Sequence, residues 1–129
     1  MSVRCVIVDD NRDFLRAASQ LLERAGIAVV GVASTGAEAG RACDELQPDV
    51  VLVDIDLGTE SGFDVARELA DPISPDQPRV ILISAYSADE VGDMVAYTPA
   101  VAFLPKATLS GPAILGIVAR EGGLPGPLV

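Results

Sequence analysis

Four polar positions in this chain of 129 residues each stand immediately after an apolar run. Asp9 and Asp10 follow Val6, Ile7 and Val8; Asp54 follows the run at 50–53; Ser84 follows that at 80–83; Lys106 follows that at 101–105. In an open parallel α/β sheet the carboxyl ends of the strands share one edge, and ligands bind in the crevice outside it. Strands placed at these runs would gather three carboxylates, a hydroxyl and an ammonium at that edge. Carboxylates suit a hard divalent cation, while an ammonium and a hydroxyl answer the negative oxygens of a phosphoryl group.

The elements needed to position these groups are legible in the apolar periodicity. Residues 4–9 read as a strand, followed by a helix on which Phe14, Leu15, Ala18, Leu21, Leu22 and Ala25 recur at helical spacing until Gly26 stops it. A second strand is expected at 28–33. Thr35 and Glu38 then form a capping box for a helix to about Leu46, which Pro48 ends. Strand three is expected at 49–54, and beyond the loop 57–61 a short helix carries Phe63, Val65, Ala66 and Leu69. The stretch 71–78, with three prolines, reads as a surface loop. Strand four at 79–84 leads to a second capping box, Ser87 with Glu90, opening a helix that Pro99 bounds. Strand five at 101–104 and a last helix at 110–120 complete five βα units. Such alternation predicts a parallel sheet with right-handed crossovers and helices on both faces.

Composition narrows the classes. The length fits one domain, expected at 1–121, with 122–129 a Gly/Pro-rich tail or linker stub. Nineteen acidic against nine basic residues give a net charge of -10, which repels nucleic-acid phosphates and anionic lipid, so direct binding to either is not expected. Cys5 and Cys43 lack the spacing of a redox pair or zinc site and are expected to be buried, reduced thiols. With no signal-peptide pattern and no apolar run near the ~20 residues of a membrane span, a cytoplasmic location is expected.

Taken singly, each site residue has a plainer explanation. Asp10 or Asp13 would serve as an N-cap of the first helix, Ser84 as a turn hydroxyl, Lys106 as a solvated charge and Phe103 as a core aromatic. Together they carry a resemblance. The acid pair Asp9-Asp10, the strand-end Asp54, Ser84 followed by Ala85, and Lys106 three positions after Phe103 are similar to the signature set of response-regulator receiver domains, the CheY-like phosphoacceptors, in order and spacing over nearly the whole chain. The Leu-Pro-Lys-Ala run ending at Ala107 is closest to receivers of the LuxR-type helix-turn-helix output subfamily.

The resemblance implies a flavodoxin-like (βα)5 doubly wound sheet of strand order 2-1-3-4-5, and two-component signalling. It implies Asp54 as phosphoacceptor and Mg²⁺ held by Asp9, Asp10, Asp54 and the backbone carbonyl of Asp56. Lys106, the Ser84 hydroxyl and the Ala85 amide would neutralise the phosphoryl oxygens, with Ser84 and Phe103 as switch residues. The donor would be a sensor histidine kinase or a phosphotransfer protein. The output partner, or a second copy, would dock on the face made by the fourth helix, fifth strand and last helix. The domain would catalyse only its own phosphorylation and dephosphorylation. A phosphate sink or relay module without output shares this chemistry. A haloacid-dehalogenase-type phosphatase is a remote alternative suggested by Asp54-Ile55-Asp56, but Gly58 stands where that motif wants threonine or valine, and its nucleophile belongs on the first strand. With no histidine, the chain cannot itself be a phosphohistidine donor.

Overall fold

A computed structural model describes residues 2–70, 78–87, 90 and 95–120. Five parallel strands form one sheet in the order β2-β1-β3-β4-β5. They are β1 (Arg4–Val8), β2 (Ala28–Ala33), β3 (Val50–Asp54), β4 (Arg79–Ser84) and β5 (Ala102–Pro105). The helices are α1 (Arg12–Arg24), α2 (Gly36–Leu46), α3 (Gly62–Leu69) and the last helix (Gly111–Arg120), with a 3₁₀ turn at Lys106–Thr108.

The strands read as unbroken apolar runs because both faces of the sheet are covered. Side chains alternate across a strand, so Cys5, Ile7, Val50, Leu52, Ile81 and Ile83 pack with α1 and the last helix. Val6, Val8, Val51, Val53, Val80 and Leu82 pack against residues of α2 and α3 on the other face. On α1 the inner line is Leu15, Ala18 and Leu22; Leu21, expected inside, is 42% exposed, and Ala25 is exposed at the C-cap. Leu21 lies seven positions after Phe14 on the helix flank, where the neighbouring layer no longer covers it.

The helix boundaries follow local chemistry. The N-cap of α1 is Asn11, whose side-chain oxygen accepts from the amides of Asp13 and Phe14 at 3.0 and 3.2 Å, so neither Asp10 nor Asp13 caps the helix. Thr35 caps α2, accepting from the Glu38 amide at 3.1 Å. The return arm of that expected box is displaced by one residue: Glu38 Oε1 accepts from the amide and hydroxyl of Ser34, at 2.8 and 3.0 Å. Gln47 ends α2 in the left-handed region (φ 47°), and Pro48 follows.

Strand five is shifted by one from its expected place. The Val101 amide donates to the Val80 carbonyl at 2.8 Å before the ladder begins, and Pro105 pairs with Ser84 at its end. A proline is tolerated there because β5 is an edge strand. The loop expected at 71–78 lies outside the described residues except for Pro78, as does most of the helix expected from Ser87, of which the described part includes a 3.1 Å bond from the Glu90 amide to the Ser87 carbonyl. The tail 122–129 is also outside them. Cys5 and Cys43 are buried and free, and burial pushes their thiols up to about 12 and about 11.

Candidate functional site

The ladder register assembles the site. Val8 pairs with Val53, so Asp9 and Asp54, one step on, emerge side by side from the two central strands. Asp54 pairs with Ile83, which leaves Ser84 one step further out, and Ser84 pairs with Pro105, which delivers Lys106 next. A cleft of about 300 Å³ opens at this edge, lined by Asp9, Asp10, Asn11, Asp54, Asp56, Gly58, Ser84, Ala85, Tyr86 and Lys106. Every expected site residue except Phe103 lines it. Phe103 pairs with Leu82, deeper in the sheet, and packs half-buried against the α2/α3 face with Val95 and Ala100.

Three strand-end acceptors use one device. Asp9 Oδ1 accepts from the Asn11 amide at 2.9 Å, Asp54 Oδ1 from the Asp56 amide at 3.1 Å, and Ser84 Oγ from the Tyr86 amide at 2.9 Å. Each side chain thus bonds to the backbone two residues on and stops its strand. In each aspartate the second oxygen stays free of that duty. Lys106 Nζ takes both, lying 2.7 Å from Asp9 Oδ2 and 3.0 Å from Asp54 Oδ2.

Burial is what gives these contacts force. Asp9 is 0% and Asp54 6% exposed, whereas Asp10 and Asp56 face solvent. Burial pushes the Asp54 carboxyl above its ordinary value and the charge of Asp9 adds to this, outweighing the downward pull of the Asp56 amide and Lys106. Burial alone would lower Lys106, but the hydrogen bonds and charges of Asp9 and Asp54 prevail and hold it above its ordinary value. The ammonium is therefore a firm resident cation between two carboxylates.

The acidic trio also meets the first requirement of a divalent cation site. One oxygen each from Asp9, Asp10 and Asp54 lie within 4.8 Å of one another, and among the described residues the buried Asp9 Oδ2 has Lys106 Nζ, at 2.7 Å, as its one partner. An all-oxygen set with one exposed member suits Mg²⁺, which keeps several waters. The Asp56 side chain is partly committed elsewhere: its Oδ1 accepts from the Gly58 amide at 3.0 Å, in a loop where Gly58 has φ +81°.

Several contributors were not identifiable as such in the sequence. Asn11 drew no reading of its own, since the cap of the first helix was expected at Asp10 or Asp13. Gly62 begins α3 so close to β3 that a Cβ there would lie 1.9 Å from the Asp54 carbonyl oxygen, and Glu60 Oε1 accepts from the Gly36 amide, tying the loop after β3 to α2. The Phe14 ring centroid lies 4.3 Å from Lys106 Nζ. Asp54 closes the third strand of the chain, which removes the dehalogenase-type reading.

Comparison with known proteins agrees with this geometry. Residues 5–113 match the response regulator receiver domain family. The chain is 39% identical over 70 residues to a protein-glutamate methylesterase/protein-glutamine glutaminase of Alkalilimnicola ehrlichii, covering 54% of this chain and 18% of that protein. It is 29% identical over 128 residues to the transcriptional regulatory protein LiaR of Bacillus subtilis, covering 95% of this chain and 58% of LiaR. The chain thus spans less than two thirds of either relative. The signal receiver domain of the response regulator NarL from Mycobacterium tuberculosis superposes with a TM-score of 0.80 at 29% identity, covering 92% of this chain and 97% of that one. LuxR-family response regulators are also among its structural neighbours. The chain belongs to the response regulator receiver domain family, the CheY-like receivers of two-component signalling.

Proposed function

We propose that Asp54 is the phosphoacceptor of this receiver and that a histidine kinase or phosphotransfer protein is its donor. The observation that carries this reading is the setting of Asp54. It sits on the cleft wall with one oxygen fixed by the Asp56 amide and the other 3.0 Å from Lys106 Nζ. A carboxylate is a poor nucleophile toward an anionic phosphoryl group, so catalysis here is positioning and charge neutralisation. In the transfer, a phosphorus–oxygen bond forms to Asp54 as the phosphorus–nitrogen bond to the donor imidazole breaks. The ring departs with that bond's electron pair, and no proton leaves Asp54.

Asp9, Asp10, Asp54 and the Asp56 carbonyl are the residues that would hold Mg²⁺, which when bound supplies positive charge against the phosphoryl oxygens. Lys106, the Ser84 hydroxyl and the Ala85 amide meet the remaining oxygens. For Ser84 this means turning its hydroxyl toward the cleft, on the same sheet face as Phe103 one strand away. That link supports an output surface formed by the helix expected from Ser87, β5 and the last helix, which a partner protein or second copy would read. Among the described residues no helix is long and apolar enough to cross a membrane, and a cytoplasmic site of action accords with this chemistry. The domain acts as a signalling acceptor that turns over only its own phosphoryl group and makes no direct contact with nucleic acid.

Incubation with acetyl phosphate and Mg²⁺ should add one phosphoryl group by intact mass, labile to base, and Asp54→Asn should abolish it. An adduct that survives Asp54→Asn overturns the assignment.

A further inference from the structure

Lys106 is the only lysine in the sequence, all other basic residues being arginine. Its ammonium ends a flexible four-carbon stem, yet it must stand where charge develops on the transferring group. Two carboxylates pull it, Asp9 at 2.7 Å and Asp54 at 3.0 Å, and the nearer is not the acceptor. Electrostatic attraction alone would let it settle on Asp9. A third contact bears on the same ammonium: the Phe14 ring, 4.3 Å from Nζ to its centroid.

The ring is itself well fixed. Phe14 lies in the first turn of α1, its amide bonded to the Asn11 cap at 3.2 Å, and its side chain packs against the core face that also receives Val101, Ala102 and Leu104. It thus bridges the acid loop after β1 to the strand that delivers Lys106. An aromatic face attracts a cation without competing for its protons as an acceptor oxygen would. An aliphatic side chain of similar size would fill the space but offer the ammonium no electrostatic attraction.

We propose that Phe14 is a positioning residue for Lys106, its ring face holding the ammonium beside Asp54 and excluding water from one side of it during phosphoryl transfer. The inference rests on Lys106 serving that transfer, as above. It requires an aromatic ring at position 14, with an electron-rich face, and not merely apolar bulk.

The test replaces Phe14 with 4-fluoro-, 3,5-difluoro- and 3,4,5-trifluorophenylalanine, which weaken the ring's negative face with little change in volume, alongside Phe14→Tyr and Phe14→Leu. Phosphorylation by acetyl phosphate with Mg²⁺ is timed in the full chain, and urea midpoints are recorded for each variant. The rate should fall stepwise with fluorination, be retained in Phe14→Tyr, and drop about three- to thirtyfold in Phe14→Leu, the factor equivalent to ~0.6–2 kcal/mol for a cation over a partly desolvated ring. Because the lysine is unique, selective ¹³C labelling gives a single ε-methylene signal. That signal should lie upfield in the parent and move downfield in Phe14→Leu as ring-current shielding is lost. A flat fluorine series with a rapidly phosphorylated parent overturns the inference. So does a Phe14→Leu rate loss that follows the urea midpoint while the ε-methylene signal stays put. A parent that takes no phosphoryl group overturns the reading of Lys106 on which the inference rests.

Discussion

The two sides of the cleft are built differently. Asp9 and Asp54 rise from the central strands β1 and β3, where the side chains at 5–8 and 50–53 are all 0% exposed. Lys106 follows β5, an edge strand of four residues, each only half-buried. The acceptor side is thus anchored in packing on both faces, while the cation side is held from one edge and by polar contacts at its end. The proposed switch would need this asymmetry: phosphoryl transfer to Asp54 demands a fixed nucleophile, and a readout demands an element whose alternative packings lie close in energy.

Truncation at matched positions tests the contrast most severely. Leu52→Ala on β3 should cost about 2–5 kcal/mol by urea denaturation, and Leu104→Ala on β5 less than half as much. Equal losses would mean that β5 is as firmly framed as β3.

Removing the cation probes the polar contacts that hold the second side. Lys106→Met should cost about 2–3 kcal/mol near neutral pH, below the full penalty for an unpaired buried charge because the cleft admits water. Mg²⁺ should restore much of this, ~2.7 kcal/mol at a hundredfold excess over Kd. A Lys106→Met protein as stable as the parent without Mg²⁺ would show that the acids need no internal partner.

On the acceptor side, Gly62→Ala forces a Cβ against the Asp54 carbonyl and should cost about 1–3 kcal/mol. It should also slow phosphorylation, since the strain falls on the acceptor's own backbone. A variant destabilised but phosphorylated at the parent rate would show that β3 yields elsewhere.

The smallest effect is a pH slope. The Asp54 carboxyl, facing Asp9 and Lys106, titrates in the folded chain above its ordinary 3.8, so between the two values the folded state binds more protons than the unfolded. Stability through this group is therefore gained as pH falls through that interval and lost as pH rises. Lys106, raised from 10.5, has its contribution intact below that value and loses it as pH climbs through the folded one. In metal-free buffer Asp54→Asn should lack the Asp54 slope, so the urea midpoint of the variant gains on the parent as pH rises from the ordinary carboxyl value through the folded one. Parallel curves would remove the burial argument.

What the sequence disclosed follows the same asymmetry. The strand-end acids, β1 and β3 to within a residue and β4 at its full extent were legible because a run buried on both faces is hard to mistake; β2, an edge strand of mostly half-buried residues, was found at 28–33 as well. The other edge strand, β5, was read one residue early, since its half-buried residues alternate weakly and Pro105 reads as a stop. The Thr35–Glu38 box was found but its return arm was misplaced, because Glu38 chose between two adjacent amides that spacing alone does not separate. Leu21 was placed inside because a helical period reports a face and not how far the neighbouring layer extends. The contacts of Phe14, Glu60 and Gly62 depend on how helices and loops settle against β3 and β5 after folding, and no local pattern encodes them.

The bridge from Lys106 to Asp9 and Asp54 also has a consequence for biosynthesis. On the ribosome the two acids are made long before their cation, which arrives only after β4 and β5 are complete. A nascent chain that has already paired β1 with β3 therefore has no internal counter-charge for two carboxylates whose folded places are deeply buried. Protons, bulk cations or delayed docking of the central strands must cover the interval. Emergence of Lys106 is thus a late electrostatic checkpoint, reached as the last edge of the sheet is laid down.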